Sequence, residues 1–232
     1  MKAFSFSSSV AVLGLLCACA SSPPTPDWQL EAKSAMDRAV AAYLEGDSRV
    51  EQAEITRARA ALARTGRADL LANAELLRCA TRVASGVFEP CAAFEVLRPD
   101  ATAPQRAYAD YLRGQLQPQD AALLPEVQRG VAAGNTAAAL GQNKAVDPLS
   151  QLVAAGVLLQ TGKATDAVSE AAVNTASAQG WRRPLLTWLG LQLRQAGQGG
   201  RADEVARLQR RIVLVDGTRA TTQPTPSPKA LP

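Results

Sequence analysis

Residues 181–216 read WRRPLLTWLGLQLRQAGQGGRADEVARLQRRIVLVD. Pro184 falls where the first turn of a helix tolerates proline, and a Leu-rich segment runs from there to Gly197. Gly197 to Gly200 then stop that helix, because glycine enters the left-handed conformation that ends one without steric cost. A second helix follows and ends near Asp216, where the character of the sequence changes. Two helices and a glycine turn make a hairpin, and that unit organises the reading of everything upstream.

Glycine punctuates the rest of the chain in the same way, with Gly46, Gly66, Gly86, Gly114, Gly134, Gly162 and Gly180 before this segment and Gly217 after it. Most intervals are about twenty residues, one helix plus one turn. Start signals sit between the stops. Asp27 is read as an N-cap, ahead of Trp28, Ala32, Met36, Val40 and Tyr43 on one helical face. Ser48 with Glu51 is read as a capping box, Asp147 precedes Pro148 as a cap before a first-turn proline, and Pro90 and Pro104 fit first turns too. An aromatic content of 4% and abundant alanine favour closely packed small-residue helices over a sheet sandwich. The expected fold is all-α: about eight to ten helices stacked as antiparallel hairpins, each covering the apolar stripe its neighbour leaves exposed. The helical domain is expected over residues 27–217; residues 218–232, with Pro224, Pro226, Pro228 and Pro232, build no core and are read as disordered.

Two segments resemble tetratricopeptide repeats. Leu189-Gly190, Gly197, Asp203-Glu204-Val205 and Leu214-Val215-Asp216 follow the order of that family's motif, and Ala155, Leu158, Gly162, Asp166-Ala167 and Ala171 occupy comparable places one repeat earlier. Gly162 and Gly197 are 35 residues apart, close to the family's period. Gly199-Gly200-Arg201 and Asn174 depart from the pattern, and Tyr43 to Ala60 with Gly46-Asp47 is a fainter copy. The resemblance implies a short α-solenoid whose concave face grips peptides or partner proteins.

At the other end, Leu16-Cys17-Ala18-Cys19 resembles the lipobox of bacterial lipoprotein precursors. Lys2 supplies a positive start, and Val10, Val12, Leu13, Leu15 and Leu16 supply an apolar run too short to span a bilayer permanently. The resemblance implies removal of residues 1–18, lipidation of Cys19 and, with Ala20 and Ser21 next, an outer-membrane anchor facing the periplasm. Two or three acyl chains, at roughly 0.8 kcal/mol per buried methylene, hold a protein to a membrane almost irreversibly. Residues 19–26, with Pro23, Pro24 and Pro26, form an extended tether. Cys79 and Cys91 then remain as an even pair in a compartment that permits disulfides, and their spacing is not that of a Cys-x-x-Cys redox motif. A structural bridge is expected, with two buried free thiols or a redox pair as the alternatives.

Without Lys2 the chain carries 24 basic and 21 acidic residues, a formal charge of +3, too mild to point to nucleic acid. The charge is uneven. Arg182, Arg183, Arg194, Arg201, Arg207, Arg210, Arg211 and Arg219 face only Asp203, Glu204 and Asp216, so residues 181–219 carry +5. Arg182, Arg183, Arg207, Arg210 and Arg211 are therefore the candidate partner-binding residues, although intrahelical pairs such as Asp203 with Arg207 account for part of the pattern. Trp181 and Trp188, seven residues apart, are read as core.

The chain has no histidine, which removes His-dependent nucleophile systems and His-bearing zinc sites. Lys33, Lys144 and Lys163 lack a Ser-x-x-Lys context. Glu45, Asp47, Glu51 and Glu54 are the densest acidic stretch, at a helix end where capping and dipole effects explain them. No catalytic residue, metal or cofactor is expected. The leading expectation is a non-enzymatic lipoprotein that docks a protein of an envelope complex. A carboxylate-dependent wall-modifying enzyme and a membrane-to-wall spacer are the alternatives.

Overall fold

The computed structural model describes residues 24–136, 139, 141 and 146–220, the last three by their backbone alone. The lipobox with Cys19, most of the tether, Lys144 and residues 221–232 lie outside the described residues. Among the described residues the protein is all-α. Its helices are α1 (Asp27–Glu45), α2 (Ser48–Ala63), α3 (Ala68–Ala84), α4 (Ala92–Leu97), α5 (Ala103–Leu112), α6 (Glu126–Ala132), α7 (Pro148–Gln160), α8 (Asp166–Ala178), α9 (Arg182–Gln198) and α10 (Ala202–Ala220). Short 3-10 turns at Arg98–Asp100 and Pro118–Leu123 join the middle helices.

The glycine punctuation is realised at Gly46, Gly66, Gly86, Gly114, Gly134, Gly162 and Gly180, all with positive φ. It fails at two places. Gly197 lies inside α9, and the left-handed stop is Gly200 at φ 66°. Gly217 lies inside α10, which continues to Ala220, so the helix runs into the segment read as disordered.

Caps differ as well. Asp27 is the first residue of α1 rather than its cap; it places a carboxylate on the positive end of the helix dipole. Asp47, not Ser48, caps α2, accepting from the backbone N–H groups of Arg49 and Val50 at 3.1 and 3.0 Å. Glu51 is thereby released from the expected capping box and turns inward. The reciprocal box occurs at Thr102 and Gln105, at the start of α5. Asp147 does cap α7, accepting from Ser150 N–H at 2.8 Å.

Helices α3 and α7 form the centre. Residues Gln151 to Leu158 of α7 are all buried, so this helix is covered on every side, as a nearly continuous apolar run requires. It crosses α3 at Gly156, where a Cβ would lie 2.2 Å from the Val83 carbonyl oxygen. Only hydrogen fits there. Ala80 and Ala84 on α3, with Ala154 and Ala155 on α7, are buried around the crossing. Helices α2, α4 and α5 pack on α3, whereas α6 and α8 pack on α7. From α7 onward each helix packs on the next, through α8 and α9 to α10. A second, smaller core joins α1, α2 and α3 through Ala35, Met36, Ala39, Ile55, Leu62 and Ala74.

Cys79 on α3 and Cys91 at the start of α4 form a disulfide, with Cα atoms 5.9 Å apart and a sequence separation of 12. A loop of that length contributes about 3 kcal/mol by restricting the unfolded chain. The C79S/C91S variant is therefore expected to melt well below the oxidised protein, and reducing agent should lower the wild-type melting temperature alone.

Two glycine substitutions separate packing from propensity. G156A forces α7 off α3 and is expected to cost about 2–3 kcal/mol, a fall in Tm of roughly 5–10 °C. G197A, in a helix with nothing within 4 Å of the new methyl group, should raise Tm slightly. Thermal melts followed by far-UV circular dichroism check both.

Candidate functional site

A cleft of about 370 Å³, lined mainly by charged and amide side chains, lies between α8, α9 and α10. Thr165 caps α8 by accepting from Val168 N–H, and α8 then places Asp166, Glu170 and Asn174 at four-residue intervals along one wall. Gln192 and Gln195 of α9 form the floor. The opposite wall carries Arg201 from the turn and Glu204, Arg207 and Arg211 from α10. α10 is oriented by Leu208, fully buried, with Val205, Ile212 and Val215 packed beside it on the core.

Glu204 and Arg207 are paired on the basic wall through two hydrogen bonds, at 2.9 and 2.6 Å. Those bonds hold the Glu204 carboxyl below the ordinary carboxylate range, with Arg201 and Arg211 adding to the effect. Arg207 thus pairs with Glu204 rather than with Asp203. With that pair closed, Arg201 and Arg211 remain on one side and Asp166 and Glu170 on the other, with no ion pair between them.

The expected partner-binding arginines do not form one patch. Arg207 and Arg211 line the cleft, and Arg210 is exposed outside its lining. Arg182 and Arg183, at the first turn of α9, are committed to the fold. Arg182 lies over Gly46, and Arg183 donates to the Tyr43 carbonyl at 2.7 Å and to Ser48 Oγ at 2.9 Å. The Tyr43 ring meets the guanidinium groups of both Arg82 and Arg183, each 4.2 Å from its centroid. Trp188 is fully buried, and Trp181 sits just before α9, partly buried against the same core.

The acidic stretch is absorbed into packing. Asp47 is a cap, Glu54 pairs with Arg38 at 2.9 Å, and Glu51 is buried against Arg82 at 2.6 Å. The hydrogen bond from Arg38 holds Glu54 below its ordinary pKa. Among the described residues no three His, Cys, Asp or Glu side chains gather as a metal site, and no helix is long and apolar enough to cross a membrane.

Sequence reasoning singled out the basic wall and missed the acidic one. The signal was the spacing of Asp166, Glu170 and Asn174, which places them on one face of α8. No protein-family model matches the chain, and comparison with curated proteins and with solved structures finds no match.

Removing the guanidinium in R207A is expected to move the Glu204 titration midpoint upward, toward the ordinary glutamate value, with Arg201 and Arg211 limiting the shift. Carboxyl-carbon NMR titration reads this directly; an unmoved midpoint would contradict the geometry of the basic wall. E51Q, by contrast, removes one of two carboxylates on the buried Arg82, which keeps Glu89 at 3.4 Å and the Tyr43 ring, and is expected to cost about 1.5–3 kcal/mol of stability in denaturant titrations.

Proposed function

We propose that this chain is a lipoprotein held by Cys19 to the periplasmic face of an outer membrane, where its helices, stacked as a short tetratricopeptide-like array, dock a protein of an envelope complex without catalysing a reaction. The observation that carries the reading is the cleft of α8, α9 and α10. It is concave, lined by charged and amide side chains, and bounded by rows of opposite sign. Such a surface favours recognition by charge pattern, which sets specificity and encounter rate. Residues 24–26, the described end of the proposed tether, lead into α1, and the cleft is built from α8, α9 and α10. The resemblance of residues 16–19 to a lipobox and of residues 189–216 to a tetratricopeptide motif supports the address and the architecture.

Capture of the membrane-extracted protein after mild crosslinking, with mass spectrometry of what accompanies it, tests the reading. A stoichiometric envelope protein is expected with the wild type, and the R207E/R211E variant should lose it while keeping its circular dichroism spectrum. The same sample should yield an acylated N-terminal peptide beginning at Cys19. Retention of the partner by R207E/R211E would remove the cleft from the proposal, and an unacylated mature end would remove the anchor.

A further inference from the structure

The two walls of the cleft are complementary to a ligand that carries both charges at once. Asp166 and Glu170 project from α8, Arg201 and Arg211 from the α10 side, and neither pair is neutralised by the other. A nucleotide or a sugar phosphate brings negative charge only, which the α8 carboxylates repel. A polyamine brings positive charge only, which the arginines repel. An uncharged sugar leaves Asp166 and Glu170 without a cation, and Arg201 and Arg211 with only Glu204, which Arg207 already holds. A zwitterion with its charges at opposite ends satisfies both rows.

The floor narrows the class further. Gln192 and Gln195 on the floor, and Asn174 beside them on the α8 wall, each offer a carbonyl oxygen and an amide N–H₂ group, the complement of a peptide unit. At about 370 Å³ the space is at the small end of the range for ligand pockets. We infer that the cleft binds a short peptide with free termini, two or three residues long. Its α-ammonium lies against Asp166 and Glu170, its terminal carboxylate against Arg201 and Arg211, and its backbone amides on the side-chain amides of the floor. The charged walls read the two ends, and the floor reads the peptide backbone without selecting side chains. This inference concerns the cleft that the docking reading uses, but it stands or falls separately.

Isothermal titration of the full-length, detergent-purified protein with trialanine tests it, with N-acetyl-trialanine and trialanine amide as controls. Trialanine is expected to bind in the micromolar to low millimolar range, and each blocked form to bind at least tenfold more weakly. The D166N/E170Q variant should lose the discrimination against the acetylated peptide and keep that against the amide; R201Q/R211Q should do the reverse. Equal binding of free and blocked peptides, or no heat at 10 mM trialanine (roughly the weakest affinity the method resolves), overturns the inference. If the envelope partner is captured through Arg207 and Arg211 while trialanine does not bind, only this inference fails. If trialanine binds as described and no partner is captured, the docking reading fails and the peptide site remains.

Discussion

The crossing of α3 and α7 at Gly156 is the constraint on which the rest of the molecule depends. Packed helices ordinarily lie 8–10 Å apart, held off by their side chains. Here the α7 backbone meets the Val83 carbonyl with no side chain between them. That approach lets a chain with few aromatics bury a dense core, because alanines around the crossing fill space that larger residues would hold open. It also decides who the neighbours are. Between α3 and α7, the described residues 87–136 run through short helices and 3-10 turns that cover the flanks of the pair.

A core of small residues supplies tight contact but few large anchors, and buried charge supplies orientation in their place. Glu51 of α2 meets Arg82 of α3, and Glu75 of α3 takes two hydrogen bonds from Arg59 of α2, at 2.5 and 2.8 Å. Both pairs join the same two helices, about two turns apart along each. Their directional bonds select one rotation of α2 against α3, which a surface of alanines alone leaves loosely defined. Arg98 does the same locally, reaching Glu95 and Asp110 to hold the turn after α4 against α5. Its hydrogen bonds depress the Glu95 carboxyl below its ordinary range. The folded form therefore gains from that carboxylate above the unfolded pKa and loses the gain on acidification through the folded one.

The helical class, the positions of most stops and the cap at Asp147 were legible because each rests on local physics: a glycine at positive φ or a carboxylate beside free N–H groups. Local physics also explains the misplaced boundaries. Gly197 and Gly217 are compatible with a stop and with a helix interior, and tertiary packing of α9 and α10 on the core holds both segments helical. Ser48 and Glu51 have the capping-box spacing, but Asp47 is one residue nearer and Arg82, remote in sequence, draws Glu51 away. The basic side of the cleft was visible as composition, since Arg207 and Arg211 belong to an excess of one sign. Its acidic side, and the removal of Arg182 and Arg183 to a structural role, depend on which helices become neighbours. Asn174 is instructive: as a departure from the repeat pattern it looked like a defect, and in three dimensions it lines the cleft.

The grip of Arg183 on Tyr43 spans 140 residues, and Thr187 binds the Ser85 carbonyl across 102. Helix α9 thus closes over the ends of α1 and α3 from far along the chain. A polypeptide that leaves a ribosome or a translocation channel in order has α1, α2 and α3 free long before α9 is available. Until then Tyr43 lacks one of its two guanidinium partners and the end of α3 lacks a cover. The α1–α2 hairpin has a core of its own, but the contacts that Arg183 and Thr187 add to the ends of α1 and α3 form only once α9 docks, a long-range closure that follows local folding.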